Sequence, residues 1–317
     1  MTSRHLVDPE ILPLVEQMPG FSFEGVDIAE VRAVMASMAP PRAEPPPGLE
    51  VHEASAPGRD GAPPVRLVVT RPKAAGQGRP GILHIHGGGY VMGSADMTLQ
   101  TDMAYAGEFG AVVVSVDYRL APETPHPGPV EDCYAALAWL HAEADRLGVD
   151  RGRIMVTGES AGGGLAAALV LLARERGEIP IAFQHLVFPM LDDRTVTHPE
   201  PSPYLGQYVW TPDSNRFGWA SLLGKEPGGE GVSPFAAPAR AEDLSGLPPT
   251  FMIVGALDLF LEEDLDYARR LIRAGVPTEL HVYPGAPHGF MFVPEAGVSR
   301  TFARDSMTAI GRALGKG

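Results

Sequence analysis

The sequence predicts an α/β protein: an eight-stranded, mostly parallel sheet flanked by helices, with a helical cap over one end. Three observations carry this. Short apolar, β-branched runs alternate with helix-forming stretches from about residue 48 onward, the pattern of a doubly wound sheet. One transition is sharp enough to read residue by residue. Arg153-Ile154-Met155-Val156-Thr157 is strand-like, Gly158-Glu159-Ser160-Ala161-Gly162 is a turn, and the run from Gly163 to Ala173 is rich in helix formers. Finally, residues 193–232 interrupt the alternation with a stretch too long for a simple loop.

In chain order, Asp8-Pro9-Glu10 opens a helical pattern through Val15, and residues 27–38 form a second amphipathic segment. The run from Pro40 to Pro47 is a stiff linker, because proline fixes φ and cannot donate a hydrogen bond. Residues 49–54 and 65–70 read as strands joined through Gly58, Asp60 and Gly61, which makes an antiparallel hairpin at the start of the sheet. Residues 81–86 form a short strand that runs into glycines. Residues 111–118 are β-branched, as expected of a strand buried on both faces. An amphipathic helix spans 129–147, followed by the strand at 153–157 and its helix to about Gly177. Residues 181–191, 250–254 and 279–283 complete the eight strands. A helix at 261–274 lies between the last two, and another at 299–314 closes the chain.

The insertion holds Tyr204, Tyr208, Trp210, Phe217 and Trp219, including two of the three tryptophans. These aromatics either line a pocket or pack the insertion onto the body. The expected division is a cap of residues 1–47 and 192–232 over a core of 48–191 and 233–317. The cap would cover the strand ends, where ligands bind in such sheets.

Composition narrows the function. Hydrophobic residues make up 44% of the chain, enough for a sizeable core. A net charge of −14 argues against nucleic acid and against an anionic membrane surface, both of which attract basic patches. The single cysteine, Cys133, excludes an internal disulfide and lies in an apolar helix as a buried thiol. With no basic-then-apolar leader and no apolar run of membrane-spanning length, a soluble cytoplasmic protein is expected.

The Gly-x-Ser-x-Gly turn between strand and helix marks Ser160 as a nucleophile. A serine hydroxyl needs a base beside it and a group to orient that base. His288, in the loop Pro284-Gly285-Ala286-Pro287-His288-Gly289 past the last strand, is placed as the base. Asp258, after the penultimate strand, is placed as the orienting acid. Its neighbours Glu262, Glu263, Asp264 and Asp266 read as the solvated first turns of a helix. An oxyanion needs backbone donors, and His86-Gly87-Gly88-Gly89-Tyr90 supplies them from Gly88 and Gly89, with Ala161 as the third. No phosphate-loop lysine follows those glycines, and His84 with His86 lacks an evident third metal ligand. Neither a metal nor another cofactor is expected.

These motifs resemble those of the bacterial hormone-sensitive-lipase-like esterases, which are α/β-hydrolases with a helical cap. The resemblance is carried by the Gly-x-Ser-x-Gly turn, by His86-Gly87-Gly88-Gly89 about seventy residues upstream, and by Asp117-Tyr118-Arg119-Leu120-Ala121-Pro122-Glu123 between them. Ala121 through Leu140, with Ser160 through Ala168, is similar to the bacterial heroin esterase subgroup in particular. The resemblance implies the same triad, Ser160, Asp258 and His288, and the same oxyanion donors. It implies a cofactor-independent carboxylesterase acting on a small-molecule ester, with Tyr118 and Arg119 bracing the glycine loop and two copies pairing along the edge strand near 278–283.

Tyr90, Glu159, Tyr204, Tyr208 and Trp210 are candidate substrate-binding residues. The chain departs from the family in having Glu159 where aspartate is commoner. It also has Asp258-Leu259-Phe260-Leu261-Glu262-Glu263 in place of Asp-Pro-Leu-Arg-Asp-Glu. Short to medium acyl chains are expected because the cap is short and aromatic. Amide or carbamate hydrolysis on the same triad is an alternative. Related folds also serve as small-molecule receptors that have lost the histidine, which this chain keeps.

Overall fold

A computed structural model describes residues 2–315 except 21, 24, 39–41 and 60. Pro40 and Pro41 of the predicted linker, and Asp60 of the predicted hairpin turn, lie outside the described residues. Among the described residues there are eight strands: β1 (Leu49–Ala56), β2 (Val65–Pro72), β3 (Arg79–Ile85), β4 (Val112–Asp117), β5 (Val149–Glu159), β6 (Phe183–Val187), β7 (Thr250–Gly255) and β8 (Thr278–Tyr283). They form one sheet in the order β1-β2-β4-β3-β5-β6-β7-β8. The β1–β2 and β2–β4 pairs are antiparallel, and every later pair is parallel.

The helices are α1 (Leu12–Gln17), α2 (Ile28–Met38), α3 (Leu99–Phe109), α4 (Gly128–Ala142), α5 (Ala144–Leu147), α6 (Ala161–Arg176), α7 (Pro212–Leu223), α8 (Leu261–Arg273) and α9 (Gly297–Ala313). The expected helix over 129–147 is two helices, broken at Glu143. Sequence periodicity does not announce α3. Its buried face, Leu99, Asp102, Tyr105, Ala106 and Phe109, includes a carboxylate, which blurs an apolar stripe. The strand expected over 181–191 stops at Val187, where Phe188 takes a φ of 35° and turns the chain toward the strand ends.

The centre of the sheet is fully buried. Val112, Val113, Val114 and Val116 of β4 are fully buried, each contributing about 1.5–3 kcal/mol of burial free energy. On one face α6 is buried from Ala161 through Ala173, and Cys133 of α4 is a free, fully enclosed thiol. The strand order reverses at β3 and β5, so their C-terminal ends open a crevice. Over that crevice lie the N-terminal segment and residues 193–232, which touch each other. The Val209 N–H donates to the Met18 carbonyl at 3.2 Å, and Phe23 stacks on Phe217 at 4.8 Å. The 193–232 stretch is less helical than expected: α7 is its one α-helix among the described residues, and turns and bends make up most of the rest. β8 ends the sheet with a strand partner on one side only. Among the described residues, no helix is long and apolar enough to cross a membrane.

Candidate active site

Ser160 stands between β5 and α6, with φ 56° and ψ −121°. That backbone is strained for a residue with a Cβ, and it persists because its surroundings fix it. The Ser160 N–H donates to the Val187 carbonyl at 2.9 Å, and its carbonyl accepts from Gly164 and Met190. The flanking glycines are required by contact. A Cβ on Gly158 would lie 2.3 Å from the Gly162 carbonyl oxygen, and one on Gly162 would lie 2.0 Å from that of Ile85. Four described non-glycine residues have positive φ: Tyr90, Ser160, Phe188 and Val209. Three of them line one cavity and the fourth follows the glycine loop, so the strain is concentrated here.

His288 Nε2 lies 3.0 Å from Ser160 Oγ, and His288 Nδ1 lies 2.8 Å from Asp258 Oδ2. Asp258 is fully buried, and its other oxygen accepts from the Phe260 N–H at 3.0 Å. The histidine ring is held edge-on to Phe188 and Phe260, at 4.6 and 5.2 Å between centroids. β5, β7 and β8 thus each deliver one of the three groups from a C-terminal end. The neighbouring acids differ from expectation. Glu263 and Asp264 are buried, not solvated, and burial pushes both carboxyls well above the usual range. Glu263 is taken up by the Leu191 and Asp192 N–H groups, which keeps it away from His288.

The loop 86–90 follows β3. A Cβ on Gly88 would lie 2.1 Å from the Met92 carbonyl oxygen, and one on Gly89 would meet the Trp210 ring at 2.2 Å. The N–H groups of Gly88, Gly89 and Ala161 make no hydrogen bond to other described residues. Tyr118 Oη donates to the His86 carbonyl at 3.0 Å, and its ring stacks on His86 at 4.2 Å, bracing the loop. Arg119 does something else: it forks onto Asp132 of α4.

Ser160, His288, Gly88 and Gly89 line a cavity of about 240 Å³. Of the candidate binding residues, Glu159 and Trp210 line it. Tyr90, Tyr204 and Tyr208 do not. Tyr90 is fully buried and donates to the Met190 carbonyl at 2.9 Å, so it supports the loop from behind. Tyr204 packs edge-on against His5, and Tyr208 Oη lies 3.4 Å from Thr2 Oγ1, so both join the insertion to the N-terminal segment. Sequence reasoning missed much of the lining: Met18, Met35, Met97, Phe188, Met291 and Phe292 come from loops and helices with no shared motif.

It also missed a buried chain of charges. His84, fully enclosed, lies between Asp102 Oδ1 at 2.6 Å and Glu159 Oε1 at 2.7 Å. Asp102 in turn accepts from Thr98 and Ser115. His84 and His86 therefore do not converge on a shared site. Burial works against the His84 cation, but the two carboxylates outweigh it and raise its pKa to about 10. A histidine whose folded pKa lies above its ordinary value stabilises the fold fully below pH ~6.5, and this is lost as pH rises through about 10. The thermal midpoint of the native protein should fall by several degrees from neutral pH to about 10, and a His84→Gln variant should show a flatter slope. Calorimetry across that range reads both.

The family model described as alpha/beta hydrolase fold matches residues 82–292. The chain is 33% identical to carboxylesterase NlhH of Mycobacterium tuberculosis over 291 residues, covering 90% of this chain and 89% of that protein. It is 38% identical over 216 residues to esterase LipI of the same species, covering 67% of this chain and 66% of that protein. Among solved structures, a bacterial heroin esterase is similar at a TM-score of 0.92, with 40% identity over 98% of this chain and 99% of that one.

Proposed function

The chain belongs to the alpha/beta-hydrolase fold family and is a carboxylic ester hydrolase, and from that premise we propose that it works through Ser160, His288 and Asp258 by way of an acyl-enzyme. The observation that carries the proposal is the unbroken hydrogen-bonded chain from Ser160 Oγ through His288 to Asp258. Ser160 Oγ attacks the ester carbonyl while His288 Nε2 takes its proton. Asp258 holds the ring by Nδ1, so that Nε2 faces the serine, and it stabilises the imidazolium that forms. The oxyanion is received by the N–H groups of Gly88, Gly89 and Ala161. His288 then protonates the departing alcohol. In the second half the same nitrogen activates water, which releases the acid and restores Ser160.

The N-terminal segment with 192–232 acts as a cap, and two copies pair along the free edge of β8. Short to medium acyl chains are the substrates, supported by the cavity of about 240 Å³, which has to hold both parts of the ester. Across p-nitrophenyl esters from acetyl to palmitoyl, kcat/KM should peak at or below eight carbons and drop at least ~10-fold by palmitoyl, since a chain left outside loses its burial free energy. A profile that rises to palmitoyl would overturn the chain-length reading.

A further inference from the structure

The charged chain beneath the site ends in the cavity. Among the described residues that line it, Glu159 is the single carboxylate, and no lysine or arginine joins it. The remaining wall is chiefly thioether, aromatic ring and glycine backbone. Oε1 of Glu159 is committed to His84, while Oε2 makes no side-chain hydrogen bond to another described residue. The Glu159 side chain is 15% exposed, and the residue lines the cavity.

Its charge is held in place. Burial opposes ionisation of Glu159, but the His84 cation and its hydrogen bond outweigh this and keep the carboxyl below its usual range. His84 joins Glu159 to the buried Asp102, so the chain meets the cavity as the Glu159 carboxylate. His86, the neighbour that could cancel it, is pushed down by burial and stays neutral. The same cavity has an indole in its wall. Trp210 lines it, with Nε1 fixed to Asn215 Oδ1 at 3.1 Å, and an electron-rich ring attracts alkylammonium groups. A net charge of −14 on the whole chain draws cations in the same sense.

We propose that the cavity selects esters that carry a cationic nitrogen close to the reacting carbonyl, with Glu159 as counter-ion and Trp210 as the aromatic wall. The His84–Asp102 pair is the positioning element that fixes the carboxylate without consuming both of its oxygens. The proposal rests on the esterase reading above and adds a substrate class to it.

The test compares kcat/KM for acetylcholine with that for 3,3-dimethylbutyl acetate, in which carbon replaces the charged nitrogen. p-Nitrophenyl acetate serves as the neutral reference, in the native protein and in Glu159→Gln. The native protein should favour the cation by ~10-fold or more, the effect of one partly buried ion contact with cation–π support. In Glu159→Gln the ratio should fall to about unity, whatever happens to the absolute rates. A native ratio near unity overturns the proposal and needs no variant to read. A high ratio that survives in Glu159→Gln overturns the assignment to this carboxylate. Turnover of p-nitrophenyl acetate with neither member of the pair accepted also overturns it. Loss of all three activities in the native protein would instead count against the esterase reading.

Discussion

Ser160→Ala is expected to lower kcat for p-nitrophenyl acetate by about 10⁶, because it removes the proposed nucleophile. The residual rate would come from binding and the oxyanion donors alone, roughly 10³–10⁴ above the uncatalysed reaction. The fold should not change. The hydroxyl is hydrogen-bonded to His288, whereas the elbow itself is held by the Ser160 N–H and carbonyl, which alanine keeps. An unaltered thermal midpoint beside the lost activity assigns the effect to chemistry. A variant within about tenfold of native would move the nucleophile elsewhere.

The second large effect is on stability. Gly162→Ala adds a Cβ 2.0 Å from the Ile85 carbonyl oxygen and 2.4 Å from that of His86, both main-chain atoms at the end of β3. Neither side can yield. Ile85 is registered opposite Gly158 in the β3–β5 pair, and α6 is buried along thirteen successive residues from Ala161 to Ala173. A backbone overlap of this depth should cost ~4 kcal/mol or more, enough to leave little folded protein. Gly177→Ala is the matched control. Its φ is 65°, but no atom lies within 4 Å of the added Cβ, so a loss of only about 1–2 kcal/mol is expected. Urea unfolding of the two variants beside the native chain measures the difference.

The sequence carried the parts of the molecule that depend on local chemistry. A serine at a strand–helix turn, a histidine in a proline–glycine loop after the last strand and an aspartate after the penultimate one are each readable from a few neighbours. The structure brings those three side chains within hydrogen-bonding distance. The eight strands were legible because the buried parallel ones are nearly unbroken apolar runs. What was not legible depends on long-range packing. Tyr204 and Tyr208 have the composition of pocket residues, yet they face the N-terminal segment, and only the fold decides which way an exposed insertion turns. Glu263 and Asp264 look like solvated acids at the start of a helix, but α8 packs that face inward. His84, Asp102 and Glu159 come from three elements and share no spacing that a sequence pattern could reveal.

Described residues of the N-terminal segment hold the strand-end loops from above. Arg32 donates to the Val91 and Ala121 carbonyls and forks onto Glu123, while Met18 and Met35 form part of the cavity wall. The cavity wall therefore draws on the N-terminal segment and the 193–232 stretch, through Met18, Met35, Val209 and Trp210, as well as on the loops that carry Ser160 and His288. Ser160, His288 and Asp258 follow the ends of β5, β8 and β7, whereas Met18, Met35, Val209 and Trp210 reach the same cavity from outside the sheet. Heritable change in those four side chains can reshape the cavity while leaving the Ser160–His288–Asp258 hydrogen bonds in place.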